Sequence, residues 1–126
     1  MMSFPTLRCW AVIGVSADRE KYGNKVYREL REAGYRVYGV NPKLDDIEGD
    51  RCFHKLADLP EIPDVVNVVV PPSVAEGIVD DCIERGIARM WFQPGSESPA
   101  ALEKARAAGV IVVSDACIML QKQRWD

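Results

Sequence analysis

The sequence has little of what marks a metalloprotein or a nucleic-acid binder. It carries one histidine, and its four cysteines stand apart rather than in the C-x-x-C pairs of zinc and redox sites. Basic residues are not in excess, since 16 Lys and Arg against 19 Asp and Glu give a formal net charge of -3. We therefore expect no metal site and no nucleic-acid partner, and any anion must be bound by local groups.

Long apolar runs are also missing. No stretch approaches the roughly 18 residues that cross a bilayer, and residues 1–5 lack a basic segment followed by an apolar core. We therefore expect a cytoplasmic protein with no membrane contact. The cysteines would stay reduced there, and most of them are interpreted as small buried apolar side chains. They are Cys9, Cys52, Cys82 and Cys117.

The sequence does contain an alternation of apolar runs and amphipathic stretches. The run at 65–70 is β-branched and continuous, which is typical of a parallel strand buried on both faces, and we place it at the centre of a sheet. The pattern predicts a single α/β domain over residues 1–126, a Rossmann-like, doubly wound, mainly parallel sheet of about five strands with helices on both faces. Predicted strands are 9–15, 35–40, 65–70, 89–92 and 110–114, with a weaker one at 49–53, and predicted helices are 22–33, 74–85, 99–108 and 116–123.

In such a fold the ligand lies beyond the carboxyl ends of the strands, so the loops there are the candidate binding segments. The first loop begins Gly14-x-Ser16, but Ser16 and Arg19 stand where G-x-G-x-x-G requires glycine. The second strand ends in Asn41-Pro42-Lys43, where an NAD site usually has an acid for the ribose hydroxyls. A cation there favours a phosphorylated ribose. The competing interpretation is that Gly14 permits a tight turn and Lys43 is a solvated lysine.

Six parts of the chain together carry a resemblance to a known family. They are V-I-G-V-S at 12–16, Lys25, G-Y-R-V-Y-G-V-N-P-K at 34–43, L-A-D-L-P at 56–60, W-F-Q-P-G at 91–95 and D-A-C-I at 115–118. In this order they resemble the CoA-binding domain family, which is similar to the N-terminal domain of the succinyl-CoA synthetase alpha subunit. The resemblance implies a Rossmann-like fold that holds coenzyme A at the carboxyl ends of its strands.

The resemblance also implies a set of binding residues. The pyrophosphate or ribose phosphate would be bound in the first loop by Gly14, Val15, Ser16, Ala17 and Arg19, and the adenosine 3′-phosphate would be bordered in the second by Val40, Asn41, Pro42 and Lys43. The nucleotide would pack against Val70, Pro71 and Pro72 of the third loop, and the pantetheine arm would lie along Phe92, Gln93 and Gly95 of the fourth. Lys25, one turn into the first helix, is either a further phosphate contact or a solvated lysine.

The resulting prediction is a stand-alone module that binds coenzyme A or an acyl-CoA without catalysis, as a carrier, sensor or partner subunit. No catalytic residue is predicted, and His54 is interpreted as a surface residue without a carboxylate partner. One alternative is an NAD(P)-dependent oxidoreductase domain, for which Asp115 is the candidate acid or base. Another is a regulatory interaction protein with a vestigial pocket, favoured by the acidic Asp18 and Glu20. Cys117 is either a packed thiol or a partner for the CoA thiol in a mixed disulfide.

Overall fold

The structure is a computed structural model that describes residues 4–114 and 118–122. It contains seven strands and four helices, together with two short 3-10 turns at Phe4–Thr6 and Leu56–Asp58. The strands are β1 Cys9–Ile13, β2 Arg36–Val40, β3 Asp46–Ile47, β4 Asp50–Phe53, β5 Val65–Val68, β6 Arg89–Phe92 and β7 Ile111–Val113. The helices are α1 Tyr22–Glu32, α2 Pro72–Arg85, α3 Pro99–Ala107 and α4 Ile118–Gln121.

The strands form one sheet in the order β3-β4-β2-β1-β5-β6-β7. Every neighbouring pair is parallel except β3 and β4. From β1 the chain first moves outward to β2 on one side and later to β5 on the other, so the strand order reverses at β1. The carboxyl ends of β1 and β5 therefore border the crevice in which doubly wound proteins bind ligands.

Both faces of the sheet are covered by helices. On one face α1 and α4 contribute Leu30 and Ile118 to a core that includes Trp10 and Trp91. On the other face the core joins α2 and α3 to β1, β5 and β6. The predicted doubly wound, mainly parallel sheet with helices on both faces is confirmed. Asn67 on β5 is an exception in this apolar interior, because its amide is fully buried and has no hydrogen-bond partner among the described residues.

The sheet is wider than predicted because of the β3–β4 hairpin. The weak strand expected at 49–53 is β4, whereas β3 was missed because two residues are too short to show a period. The middle position belongs to β1, and β5 lies beside it, so the prediction that the run at 65–70 is central was wrong by one strand. Both strands are flanked on each side, which explains why both are continuously apolar.

Helix α2 begins earlier than the sequence suggested. It starts at Pro72, not at residue 74, because the fixed φ and missing N–H of proline suit a first helical position. Ser73 therefore lies inside the helix. Val74, with which the predicted helix begins, is 47% exposed. The residues that α2 buries are Ala75, Val79 and Cys82.

The cysteines that the structure describes are free and buried, as predicted. Burial raises the pKa of the Cys9 thiol to about 11 and that of Cys82 to about 12. Both thiols are therefore protonated at neutral pH and behave as small apolar groups. Cys117 and Asp115, and the roles considered for them, lie outside the described residues.

In the part of the chain that the structure describes, the helices are too short or too polar to cross a bilayer. Within the same residues, no three His, Cys, Asp or Glu side chains are grouped so as to hold a metal ion.

Candidate functional site

Four loops meet at the carboxyl edge of the sheet, following β1, β2, β5 and β6. Most of the residues that the sequence nominated lie on these loops, whereas Val40 and Phe92 are the last residues of β2 and β6, and Pro72 and Lys25 lie in the first turns of α2 and α1. Eight of them are exposed: Ala17, Arg19, Lys25, Pro42, Lys43, Pro71, Pro72 and Gly95. Gly14, Ser16, Asn41 and Val70 are partly buried, and Val15, Val40, Phe92 and Gln93 are buried. The structure thus brings the nominated set to one edge, at different depths.

Gly14 sits where the ends of three strands converge. Its N–H donates to the Val40 carbonyl at 3.0 Å, and its φ of +102° lies in the left-handed region that favours glycine. A Cβ atom at this position would lie 2.3 Å from the Val69 carbonyl oxygen. Both the turn and the contact with the end of β5 therefore require glycine.

Gly23 is a second required glycine, and sequence reasoning missed it. It lies in the first turn of α1, where a Cβ atom would be 2.2 Å from the Gly14 carbonyl oxygen. The absence of a side chain lets the N-terminal turn of α1 press directly on the first loop. This is the helix packing role of the third glycine in G-x-G-x-x-G, taken over by a glycine after a longer loop. The sequence signal that could have identified Gly23 is a glycine in the first turn of a predicted helix, where it allows close packing.

Two side-chain amides hold consecutive carbonyl groups of the first loop. Asn41 Nδ2 donates to the Val15 carbonyl at 2.7 Å, and Asn24 Nδ2 donates to the Ser16 carbonyl at 2.8 Å. The C=O and the following N–H of a planar trans peptide point in opposite directions. The N–H groups of Ser16 and Ala17 are therefore turned away from these amides. Successive N–H groups of a loop form an anion-binding concavity when they point to one side.

The side chain of Asp18 is hydrogen-bonded within the first loop. Its Oδ1 accepts a hydrogen bond from the Glu20 N–H at 3.0 Å, while its own N–H donates to Ser16 Oγ at 3.1 Å. The Asp18 carboxylate is therefore engaged by the backbone of its own loop. Helix α1 follows with Lys21 at its N-cap, which gives no side-chain cap and leaves the helix N-terminus suited to an anion.

The loop after β2 is tied to its neighbours on both sides. The Asn41 N–H donates to the Phe53 carbonyl at 2.9 Å, and Asn41 Oδ1 accepts from the Lys43 N–H at 2.8 Å. Because its Nδ2 also donates to the Val15 carbonyl, the side chain and the N–H of Asn41 are all bonded within the protein. Asn41 therefore connects the first and second loops of the site. Pro42 and Lys43 are the exposed members of this loop.

The loop after β6 presents fewer side chains than the sequence suggested. Phe92 is fully buried in the core, and Gln93 is only 1% exposed. Gln93 Oε1 accepts a hydrogen bond from the Ile118 N–H at 3.2 Å, so it joins this loop to α4. Gly95 is exposed, with a φ of +94°. At this loop the accessible surface comes chiefly from the turn around Gly95.

Two cationic side chains flank the first loop. The side chain of Arg19 is 62% exposed, with its Nε 3.4 Å from Glu48 Oε1. Lys25 is exposed on the first turns of α1. Glu48, at the tip of the β3–β4 hairpin, was not nominated from the sequence because nothing local marks it.

His54 follows β4 at the same edge of the sheet. It is exposed, as predicted, but the expectation that it lacks a carboxylate partner was wrong. His54 Nε2 lies 2.8 Å from Asp45 Oδ1. The two residues are nine positions apart and are brought together because Asp45 precedes β3, His54 follows β4, and these two strands pair antiparallel.

Comparison with known proteins identifies the family of this chain. The chain is 27% identical over 108 residues to the uncharacterized protein YneT of Bacillus subtilis, covering 86% of this chain and 80% of that protein. It is 30% identical to acetate–CoA ligase (ADP-forming) I of Archaeoglobus fulgidus, covering 86% of this chain but 17% of the ligase. A conserved hypothetical protein of Pyrococcus furiosus superposes with a TM-score of 0.87 at 38% identity, covering 90% of this chain and 98% of that one. The family model described as CoA binding domain matches residues 8–123, and the chain belongs to that family.

Proposed function

We propose that this chain is a stand-alone, non-catalytic cytoplasmic module that binds coenzyme A or an acyl-CoA at the carboxyl edge of its sheet. It would serve as a carrier, a sensor or a partner subunit. The observation that carries the proposal is that the amides of Asn41 and Asn24 hold the Val15 and Ser16 carbonyls, which turns the N–H groups of Ser16 and Ala17 away from these amides. A pyrophosphate is the anion that such a pair of N–H groups beside an uncapped helix N-terminus suits.

The charges at this edge support a ligand with more than one phosphate. Arg19 and Lys25 flank the first loop, and Lys43 is exposed on the neighbouring one. Because the whole chain carries a net charge of -3, these three cations provide a local attraction for anions that the protein as a whole lacks. In the proposed complex Arg19 and Lys25 face the pyrophosphate, and Lys43 faces the 3′-phosphate of the adenosine.

The apolar parts of the edge suit the remaining portions of the ligand. Val70 is partly buried after β5, and Pro71 and Pro72 are exposed at the start of α2. These rigid apolar residues offer a wall for the nucleotide, and the turn around Gly95 offers a surface for the pantetheine arm. The archaeal relative named acetate–CoA ligase supports CoA as the ligand, and the 17% of it that this chain covers supports a role in binding rather than in the whole reaction.

The alternative of an NAD(P)-dependent oxidoreductase has less support at the second loop. The Asn41-Pro42-Lys43 turn presents a lysine and a proline to solvent, and no carboxylate for ribose hydroxyls follows β2 directly. NADP, which carries a 2′-phosphate, remains the competing ligand that an experiment must include. The third interpretation, a vestigial pocket, predicts no affinity for either cofactor.

Thermal denaturation of the purified protein with separate cofactors tests the proposal. At a CoA concentration of about 100 times the Kd, the folded state gains about 2.7 kcal/mol, which corresponds to a rise in Tm of roughly 5–15 °C. We expect this rise with CoA and acetyl-CoA. A rise with NADP but none with CoA would replace the proposal by the oxidoreductase, and no rise with CoA, NADP or ATP would favour the vestigial pocket.

A further inference from the structure

Glu48 adopts a backbone conformation that is costly for its residue type. It is the single non-glycine residue with positive φ in the described part of the chain, at 48°. Glu48 and Gly49 form the two-residue turn between β3 and β4, since Ile47 pairs directly with Asp50. Both turn positions have positive φ, a turn in which asparagine and glycine are strongly preferred. A glutamate retained there indicates that its side chain has another use.

The Glu48 carboxylate reaches across to the first loop and to α1. Its Oε1 lies 3.4 Å from Arg19 Nε, and its Oε2 accepts a hydrogen bond from Asn24 Nδ2 at 3.2 Å. The Glu48 side chain is 18% exposed, against 62% for Arg19. The carboxylate is thus mostly covered, while the guanidinium that it contacts faces solvent.

Asn24 connects this contact to the backbone of the first loop. It is fully buried, its Nδ2 also donates to the Ser16 carbonyl, and its Oδ1 accepts from Arg28 Nε at 2.7 Å. Arg28 in turn donates to the Arg19 carbonyl at 3.0 Å. The hairpin tip, α1 and the first loop therefore form one hydrogen-bonded unit, from which the Arg19 side chain faces solvent.

We propose that Glu48 is a positioning residue for the anion site: it presets Arg19 and, through Asn24, the first loop before a phosphate arrives. This inference rests on the proposed function. The Glu48 contact is made at the Nε of the Arg19 guanidinium, whose side chain is 62% exposed. Fixing these groups in advance removes part of the ordering cost of binding, which raises affinity without a new contact to the ligand.

The substitution Glu48→Gly separates positioning from stability. Glycine relieves the positive φ, so the Tm of the free protein should stay the same or rise by a few degrees. The affinity for CoA should nevertheless fall about 5- to 20-fold, because the loss of the contacts with Arg19 and Asn24 leaves the loop to be ordered on binding. Isothermal titration calorimetry and thermal denaturation of the same samples measure the two effects. Glu48→Gln, which keeps one acceptor for Asn24, should lie between.

A matched control is provided by the next contact of the same hairpin with α1. Asp50 accepts hydrogen bonds from Tyr27 at 2.6 Å and from Arg31 at 2.7 Å, which lower the pKa of its carboxyl group. Asp50→Ala removes this attachment without touching the first loop. It should lower the Tm and leave the affinity for CoA within about 2-fold.

Coupling to Arg19 completes the test. If Glu48 acts through Arg19, Glu48→Gly should weaken CoA binding much less when Arg19→Ala is already present. Unchanged or tighter CoA binding by the Glu48→Gly variant would overturn the inference while the proposed function stands. If the unsubstituted protein fails to bind CoA in the same titration, the proposed function fails and the inference falls with it.

Discussion

Replacement of Gly23 by alanine is expected to lower the free energy of unfolding by about 3 kcal/mol or more. The added methyl group would lie 2.2 Å from the Gly14 carbonyl oxygen, a backbone atom that has no flexible end to move aside. Either α1 shifts away from the sheet or the first loop is displaced, and both responses disturb the core beneath α1. Urea denaturation followed by tryptophan fluorescence measures the change, since Trp10 and Trp91 lie in that core.

Gly77→Ala is the matched control for this substitution. Gly77 lies inside α2, and a Cβ atom there would have no heavy atom within 4 Å. Because alanine favours helix over glycine, this variant should gain about 0.5–1 kcal/mol. A similar small effect from both substitutions would show that the close approach of α1 to Gly14 has been misjudged.

Reversal of charge at Lys43 is expected to weaken CoA binding about 10- to 100-fold, with less than about 3-fold effect on dephospho-CoA. The two ligands differ by the 3′-phosphate, and the proposal places this phosphate beside the Lys43 ammonium. Lys43→Glu replaces an attraction by a repulsion at one position of the ligand. Because Lys43 is exposed and only its backbone N–H is engaged by Asn41, the variant should fold normally.

Arg106→Glu controls for the general effect of two additional negative charges. Arg106 is exposed in the last turn of α3, whose carboxyl end lies at the opposite edge of the sheet. This variant should bind CoA and dephospho-CoA with nearly unchanged affinities at 0.15 M salt, where the Debye length is about 8 Å. If Lys43→Glu weakened both ligands equally, the assignment of Lys43 to the 3′-phosphate would be wrong.

The sequence was informative wherever structure depends on neighbours along the chain. The apolar run at 65–70 and the helical spacing at 22–33 each reflect burial of a single element, so β5 and α1 were predicted with small errors at their ends. Gly34 follows the last helical turn of α1 with a φ of +93°, a conformation in which glycine commonly ends a helix. These signals are local and need no knowledge of the tertiary structure.

The parts of the site that sequence reasoning missed depend on contacts between distant residues. Asn41 is 26 positions from the Val15 carbonyl that it holds, and Asn24 is 24 positions from Glu48. No period or spacing brings such pairs together, because they meet only after β2 and the β3–β4 hairpin have joined the sheet. The sequence therefore nominated Asn41 as a ligand contact, whereas the structure shows its amide engaged in holding two loops.

The depth of a residue was the other property that the sequence failed to provide. Gln93 follows β6 at the expected edge, and the resemblance implied that it lines the pantetheine arm. It is buried instead, because the α4 segment lies over it and supplies the Ile118 N–H as its partner. A polar residue at the end of a strand satisfies its hydrogen bonds within the protein when a helix terminus is available above it.

The most direct test of the central claim is an amide proton–nitrogen NMR titration of the labelled protein with CoA. Binding at the carboxyl edge predicts the largest shifts at the N–H groups of Ser16, Ala17 and Gly95. Gly86 and Gly109, which end α2 and α3 at the opposite edge, should remain unchanged. Absence of shifts at saturating CoA, or shifts centred on Gly86 and Gly109, would contradict the assignment of this edge as a CoA site.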